Sequence, residues 1–114
     1  MGKMSRDKGK RGEREVAAIL RAHGFDAKRG QQHRGGKDSP DVVGLPGVHI
    51  EVKYTQAFRL WDALAQAEED SCGSNDVPLV VHRKAVKTGD KALPWVAVMK
   101  LEDFLAMYEK AYGE

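Results

Sequence analysis

The chain has 114 residues, the length of one domain, and a hydrophobic fraction of 41% that is sufficient for a modest core. Its single cysteine, Cys72, excludes an intramolecular disulfide and a cysteine-based metal cluster, and favours a reducing compartment. Neither a membrane-spanning apolar run nor the apolar core of a signal peptide is recognisable. We therefore expect one domain, residues 1–114, that is cytoplasmic and not bound to a membrane.

The total charge of +2 conceals an uneven distribution along the chain. Residues 1–37 contain eleven Lys and Arg against four Asp and Glu, a net charge of +7, whereas residues 38–114 have a net charge of −5. A basic segment suits a polyanion such as DNA, since phosphate contacts give affinity with little sequence readout. The alternative is a solvated tail and a soluble loop. We predict that residues 1–10 form a flexible basic arm. The predicted DNA contacts are Lys8, Lys10, Arg11, Arg29, Arg34 and Lys37.

An amphipathic helix is predicted over residues 12–23, with Gly24 at its end. Its apolar stripe contains Val16, Ala17, Ile19 and Leu20. At about 100° per residue, Glu13 falls in the angular sector of this stripe, whereas Arg14 and Glu15 fall outside it. An acid on a buried stripe costs free energy unless it is paired, hydrogen-bonded or bound to metal. We predict that Glu13 is a metal ligand, and the alternative is an acid that interacts with the helix dipole.

A short strand is predicted near residues 25–29. Two more strands are predicted within residues 39–54, joined by a turn that is marked by Gly44, Pro46 and Gly47. Alternation along the strand over residues 49–54 places Glu51 and Lys53 on one surface and the apolar side chains on the other. If the two strands pair as a hairpin, Asp41 can lie close to both. The alternative is an exposed charge pair on an edge strand.

Converging carboxylates repel each other unless a cation neutralises them, and Mg²⁺ prefers such oxygen ligands. We predict that Glu13, Asp41 and Glu51 hold Mg²⁺, for which Mn²⁺ is expected to substitute. A metal-activated water could then attack a phosphodiester. Lys53 would orient or deprotonate that water, or offset charge on the phosphate, and the pattern leaves these roles open.

The motif of Pro40-Asp41, a ten-residue step and Glu51-Val52-Lys53 resembles the PD-(D/E)XK nuclease superfamily. With the first helix included, about half of the chain resembles the archaeal-type Holliday-junction resolvases and their phage-encoded relatives. Two features differ: the loop between Arg29 and Asp41 is long and basic, and the small hydroxyl residue expected after the lysine strand is present only as Thr55. The residues that carry the resemblance are Gly12, Glu13, Arg14, Glu15, Gly24, Phe25, Arg29, Asp41, Glu51 and Lys53.

This resemblance implies a magnesium-dependent endodeoxyribonuclease with a restriction-endonuclease-like core, whose catalytic residues are Glu13, Asp41, Glu51 and Lys53. Its substrate would be branched DNA or a four-way junction, and it would act as a homodimer because a junction needs two symmetric incisions. If the protein is phage-encoded, the compartment is the cytoplasm of the host cell. Two alternatives stay open. One is a nuclease that nicks, repairs, restricts or packages other DNA, and the other is a catalytically silent DNA-binding module.

The second predicted helix covers residues 58–69, and its two sides have different compositions. The side predicted to face the core contains Leu60, Trp61, Leu64 and Glu68, and the other contains Arg59, Ala63, Gln66 and Asp70. Phage relatives of the resolvases often have a glutamine at the position of Gln66, which could hold a water or a phosphate. The alternative is an exposed polar residue. His33 and His49 lack metal-ligand spacing and are interpreted as surface or structural residues.

Two further strands are predicted over residues 77–82 and 93–99, and a closing helix over residues 101–112. The order is therefore helix, three strands, helix, two strands, helix. The helix before residue 77 is long enough for a crossover connection between parallel strands. We predict an α/β fold with a mixed central β-sheet flanked by α-helices.

Overall fold

A computed structural model describes residues 2–30 and 40–113 of the chain. His33, Arg34 and Lys37, which the sequence analysis singled out, lie outside the described residues. The elements are α1 (Gly2–Ala22), β1 (Lys28–Arg29), β2 (Val42–Val43), β3 (Val48–Thr55), α2 (Leu60–Asp70), β4 (Val77–Lys84), β5 (Val96–Val98) and α3 (Leu101–Tyr112). The predicted order of helices and strands is confirmed.

The five strands of the described residues form one sheet in the order β1-β2-β3-β4-β5. β3 and β4 are parallel, and the other neighbouring pairs are antiparallel, so the sheet is mixed as predicted. α2 makes the crossover from β3 to β4, because parallel neighbours cannot be joined by a tight turn. The α/β fold with a restriction-endonuclease-like core is confirmed. None of the helices in the described part of the chain has the length and apolar character needed to cross a bilayer.

Alternation along β3 divides the molecule into two cores. Its even-numbered residues pack with α1 in a cluster that contains Val16, Ala17, Ala27, Val42, Ile50 and Val52. Its odd-numbered residues face the side of α2, whose cluster contains Ala63, Leu64, Ala67 and Val80. Burying a large aliphatic side chain contributes about 1.5–3 kcal/mol, which makes the register of β3 costly to shift by one residue. The polar residues of β3 are thereby held on the α2 side.

The first helix begins at Gly2, not at residue 12 as predicted. Its added turns are rich in Lys, Arg and Met, which are good helix formers, and Asp7 precedes Arg11 by four residues, a favourable spacing for an ion pair. These preferences outweigh the roughly 1 kcal/mol cost of Gly9. The backbone of residues 2–10 is therefore helical, while the flexibility predicted for this arm stays a prediction.

Two apolar residues predicted on buried stripes are exposed instead. Ile19 is 42% exposed, because it lies roughly 110° around α1 from the centre of the stripe that faces the sheet. Trp61 is 76% exposed, and the contact of α2 with the sheet is made by small residues, Ala63 and Ala67, together with Leu64. Trp61 lies roughly 110° around α2 from the centre of this contact and therefore faces solvent.

Candidate active site

Asp41 lies in a bend immediately before β2, and hydrogen bonds to backbone groups hold both its main chain and its carboxylate. Its backbone N–H donates to the carbonyl of Ile50 over 2.8 Å, and its carbonyl accepts from the N–H of Gly30 over 2.8 Å. Its Oδ2 accepts from the backbone N–H of Val52 over 2.8 Å. Gly30 permits this approach, because a Cβ at that position would lie 2.0 Å from the carbonyl oxygen of Pro40. The Asp41 carboxylate is therefore bound to the middle of the Glu51-Val52-Lys53 segment, as the hairpin predicted.

The carboxyl groups of Asp41 and Glu51 are hydrogen-bonded to each other in a largely buried site. Burial, followed by the charge of Asp41, raises the pKa of Glu51 to about 8, and the charge of Lys53 opposes this shift. Burial also raises the pKa of Asp41, against the hydrogen bond from Val52 and the charge of Lys53. Without a cation, this pair therefore keeps a proton near neutral pH.

Glu13 reaches the same region from α1, because Gly12 lets the helix pack closely on β3. A Cβ at Gly12 would lie 3.0 Å from the Cβ of Tyr54. Glu13 Oε1 accepts a hydrogen bond from Arg29 Nε over 2.8 Å, and the glutamate side chain is only 14% exposed. Burial raises the pKa of Glu13, the charge of Asp41 adds to this, and Arg29 opposes it. Glu13 is therefore close enough to Asp41 for the charge of Asp41 to act on its pKa.

Glu15, which the helical pattern placed off the stripe, has different partners. It accepts hydrogen bonds from Arg83 and from the indole N–H of Trp95. Trp95 also packs against the α1 core. Glu15 thus joins α1 to β4 and to the residue before β5. Its partners differ from those of Glu13, Asp41 and Glu51.

Lys53 extends on the α2 side of the sheet, where its Nζ donates to Gln66 Oε1 over 3.3 Å. These two side chains line a cleft of about 280 Å³. Thr55 lines the same cleft, and its hydroxyl is buried without a hydrogen-bond partner among the described residues. The backbone at Lys53 is fixed by His82, whose Nδ1 lies 2.9 Å from the Lys53 carbonyl and whose ring stacks on Phe58. The cleft gives the ammonium group access to solvent.

Three of the predicted DNA-binding residues, Lys8, Lys10 and Arg11, lie on α1 near Glu13 or Tyr54. Lys10 acts electrostatically on Glu13, and Lys8 lines a surface depression with Tyr54 at the end of β3. The Arg11 guanidinium lies 5.4 Å from the centre of the Tyr54 ring, within the range of a cation–π contact. Basic side chains of α1 therefore lie near Glu13 and near the end of β3.

His49, which was interpreted from the sequence as a surface or structural residue, lies next to Glu51 in the site. Its side chain is only 3% exposed, and its Nε2 lies 3.3 Å from Glu51 Oε1. Asp70, near the end of α2, supplies a further carboxylate within 4.8 Å of these donor atoms. The available signal was alternation, since His49 lies two residues before Glu51 and shares its face of β3. His49 is therefore buried, not a surface residue.

The donor set fits a divalent cation. Glu13, Asp41 and Glu51 supply the oxygen ligands that Mg²⁺ prefers. Burial raises the pKa of all three carboxyl groups, and the charge of Asp41 adds to this rise at Glu13 and Glu51. A cation among them would relieve this repulsion. The structure thus brings together all four predicted catalytic residues, with Asp41 as the common neighbour, and leaves Gln66 beside Lys53 as the predicted accessory group.

The comparison with known proteins agrees with this geometry. A family model described as archaeal Holliday junction resolvase (Hjc) matches residues 4–68, which are 65 of the 114 residues. The matched segment includes the hairpin and most of α1 and α2, and hence Glu13, Asp41, Glu51, Lys53 and Gln66. No curated protein matches the chain. The chain belongs to the archaeal Holliday junction resolvase family, within the PD-(D/E)XK nuclease superfamily.

Proposed function

We propose that this protein is a magnesium-dependent endodeoxyribonuclease that resolves four-way DNA junctions as a homodimer. The observation that carries the proposal is the Asp41 carboxylate, which the Val52 N–H holds beside both Glu51 and Lys53. Buried acids that repel each other beside an ammonium group are costly for a structural role. They suit a site that binds a cation and a phosphate.

Glu13, Asp41 and Glu51 are the proposed metal ligands, and Mn²⁺ is expected to replace Mg²⁺. When bound, the cation acidifies a water and polarises the scissile phosphate. Asp41 is oriented by the Val52 N–H, and Glu13 by Arg29, so that both carboxylates are positioned before a cation binds. Binding requires Glu51 to release its proton, since the ligating form of a carboxyl group is ionised.

Lys53 is the proposed catalytic cation. The charge of its ammonium group lowers the pKa of Asp41, and the same group donates a hydrogen bond to Gln66 at the cleft. From this position it would stabilise charge that develops on the phosphate or orient the attacking water. Gln66 would restrict the rotamers of Lys53 and offer its amide N–H groups to a phosphate oxygen.

The DNA backbone would be bound by the basic side chains around the carboxylates. Lys8, Lys10 and Arg11 extend from α1 and Arg29 from β1, while Arg34 and Lys37 belong to the segment outside the described residues. Such contacts do not discriminate base sequence and weaken steeply with salt. This supports recognition of the shape of a branched substrate more than of its sequence.

A homodimer is supported by the surface of α3, none of whose residues is buried. Asp103 is the least exposed residue of this helix, and the apolar stripe lies roughly 150° around the helix from it. The large exposed side chains of the stripe are Leu101, Phe104, Leu105, Tyr108 and Tyr112. An apolar patch of this kind is typical of an interface. A second copy that covers it would give the two equivalent sites that paired incisions need.

We further propose that residues 1–114 form one domain. The proposed compartment is the cytoplasm, which is that of the host cell if the protein is phage-encoded.

Cleavage of a labelled four-way junction beside a linear duplex of the same sequence tests the proposal, with Mg²⁺, with Mn²⁺ and with chelator. Asp41→Asn keeps an acceptor for the Val52 N–H and should abolish cleavage with little loss of DNA binding. Asp90→Asn, in an exposed turn, is the matched control. Paired incisions on the junction alone are expected. Cleavage of both substrates would indicate a general nuclease, and binding without cleavage would indicate a silent DNA-binding module.

A further inference from the structure

The α2 side of β3 holds a second group of metal-binding side chains beside the proposed catalytic carboxylates. His49 and Glu51 extend from β3, and Asp70 comes from the last turn of α2. One donor atom from each of these three residues lies within 4.8 Å of the other two. Both β3 residues are almost completely buried, with side chains that are 3% and 4% exposed. The group is therefore a buried imidazole between carboxylates, not a set of solvated surface acids.

The separation of His49 and Glu51 matches that of two ligands on one cation. Their Nε2 and Oε1 atoms are 3.3 Å apart. Ligands at about 2.1 Å from a metal are separated by about 3.0 Å in octahedral and about 3.4 Å in tetrahedral geometry. The distance between the donor nitrogen and the acceptor oxygen in a hydrogen bond is usually shorter than this, about 2.9–3.0 Å. Asp70 is half-buried, and its donor oxygen lies within 4.8 Å of those of His49 and Glu51.

We propose that His49, Glu51 and Asp70 form a second divalent-cation site that prefers a first-row transition metal, such as Mn²⁺, Co²⁺ or Zn²⁺, to Mg²⁺. The inference rests on the proposed function only in that Glu51 is shared with the catalytic metal site. Glu51 is the residue that both groups can use, because it contacts Asp41 on one hand and His49 on the other. A carboxylate has two oxygens, so it can bridge two cations.

The ligand types determine the metal preference. Imidazole nitrogen binds Zn²⁺, Co²⁺ and similar ions well, whereas Mg²⁺ favours oxygen and retains its waters. Two carboxylates and a neutral imidazole carry a charge of about −2 and would neutralise a dication. Three protein ligands leave a coordination position open for water or a phosphate oxygen. The proposed site therefore differs from the all-oxygen site in both selectivity and composition.

Two measurements test the second site without reference to cleavage. In the wild-type protein, Zn²⁺ alone is titrated while the side-chain NMR signals of the histidines are followed. We expect the His49 ring signals to shift with stoichiometric Zn²⁺, while those of His82, which is held by Lys53 and Phe58, change much less. A His49 signal that is unaffected by excess Zn²⁺ would overturn the proposal, and this result does not depend on any variant folding.

The second measurement is Co²⁺ affinity, determined by calorimetry and visible absorption, in the wild type and three variants. His49→Asn and Asp70→Asn should each weaken Co²⁺ binding at this site tenfold or more. Glu13→Gln should leave it within about threefold, because the hydrogen-bond partner of Glu13 is Arg29. The same variant should impair Mg²⁺-dependent cleavage, so that failure of the second site and failure of the proposed function give different results. Equal Co²⁺ affinity in His49→Asn, Asp70→Asn and wild type would overturn the proposal.

Discussion

Arg29 donates a hydrogen bond from Nε to Oε1 of Glu13 over 2.8 Å, so a predicted DNA-binding residue is the direct partner of a predicted metal ligand. The bond occupies one carboxylate oxygen and leaves the other for a cation. It also opposes the rise that burial causes in the pKa of Glu13. Arg29 therefore orients Glu13 and favours its ionised form, in addition to any contact with the DNA backbone.

Replacing Arg29 by Ala should lower the junction cleavage rate about tenfold or more and raise the Mg²⁺ concentration needed for half-maximal rate, since Glu13 loses its partner. Single-turnover cleavage over a range of Mg²⁺ concentrations measures both quantities. Lys28→Ala removes a positive charge from the adjacent, exposed residue of β1 and serves as control. Equal effects of the two substitutions, confined to DNA affinity, would show that Arg29 acts only through the DNA.

Glu13→Ala should impair cleavage far more than Glu15→Ala. Glu13 lies beside Asp41 and Arg29, whereas Glu15 binds Arg83 and Trp95. The loss from Glu15→Ala should be in stability, on the order of 1 kcal/mol for its hydrogen bonds. Junction cleavage and urea unfolding of both variants separate the two effects. If both variants lose activity equally at equal stability, the helix-face assignment of Glu13 is wrong.

The metal-free protein should become less stable as pH rises from about 4.5 to 8. Folding raises the carboxyl pKa values of Glu13, Asp41 and Glu51, that of Glu51 from 4.5 to about 8, so the folded state binds more protons than the unfolded state in this window. The stability that these three groups contribute is fully present below their pKa values in the unfolded state. It is lost as pH rises through their pKa values in the folded state. We expect a decrease of at least about 1 kcal/mol between pH 5 and pH 8.

Urea unfolding in chelator at these two pH values measures this decrease. Glu51→Gln should make the dependence distinctly shallower, whereas Glu102→Gln, on the exposed side of α3, should not. Mg²⁺ should stabilise the wild type more at pH 8 than at pH 5, because the ligands must be ionised. Stability that rises with pH in chelator would contradict the raised pKa of Glu51.

Tyr108→Glu should dissociate the proposed homodimer without unfolding the subunit. Tyr108 is 51% exposed in the single chain and lies in the apolar stripe of α3. A charge there removes apolar contact with a second copy and leaves both cores of the subunit unchanged. Analytical ultracentrifugation should show a dimer for the wild type and a monomer for the variant. Ala106→Glu adds the same charge to the other side of α3 and should remain dimeric. A monomeric wild type would exclude the dimer.

Local periodicity explains which parts of the fold the sequence predicts. The change from a helical period to alternation is visible in short windows, so the order of all eight elements follows from it. The predicted start of the first helix was wrong, because the basic residues that were interpreted as a flexible arm are also good helix formers. Ile19 and Trp61 were placed in the core because apolar residues at helical spacing do not reveal how wide the buried stripe is, which the opposing sheet decides.

Within the candidate site, the sequence alone determined that Glu51 and Lys53 share a face of β3, because the side-chain period of a strand is a local property. It also determined that Glu13, rather than Arg14 or Glu15, lies on the same side of the first helix as its apolar stripe. Only the tertiary structure decided that Asp41 binds the Val52 N–H, that Arg29 binds Glu13, and that His49 is buried against Glu51. These contacts depend on how the hairpin, α1 and α2 pack on one sheet, and sheet order and helix packing are set by long-range burial that no short window of sequence contains.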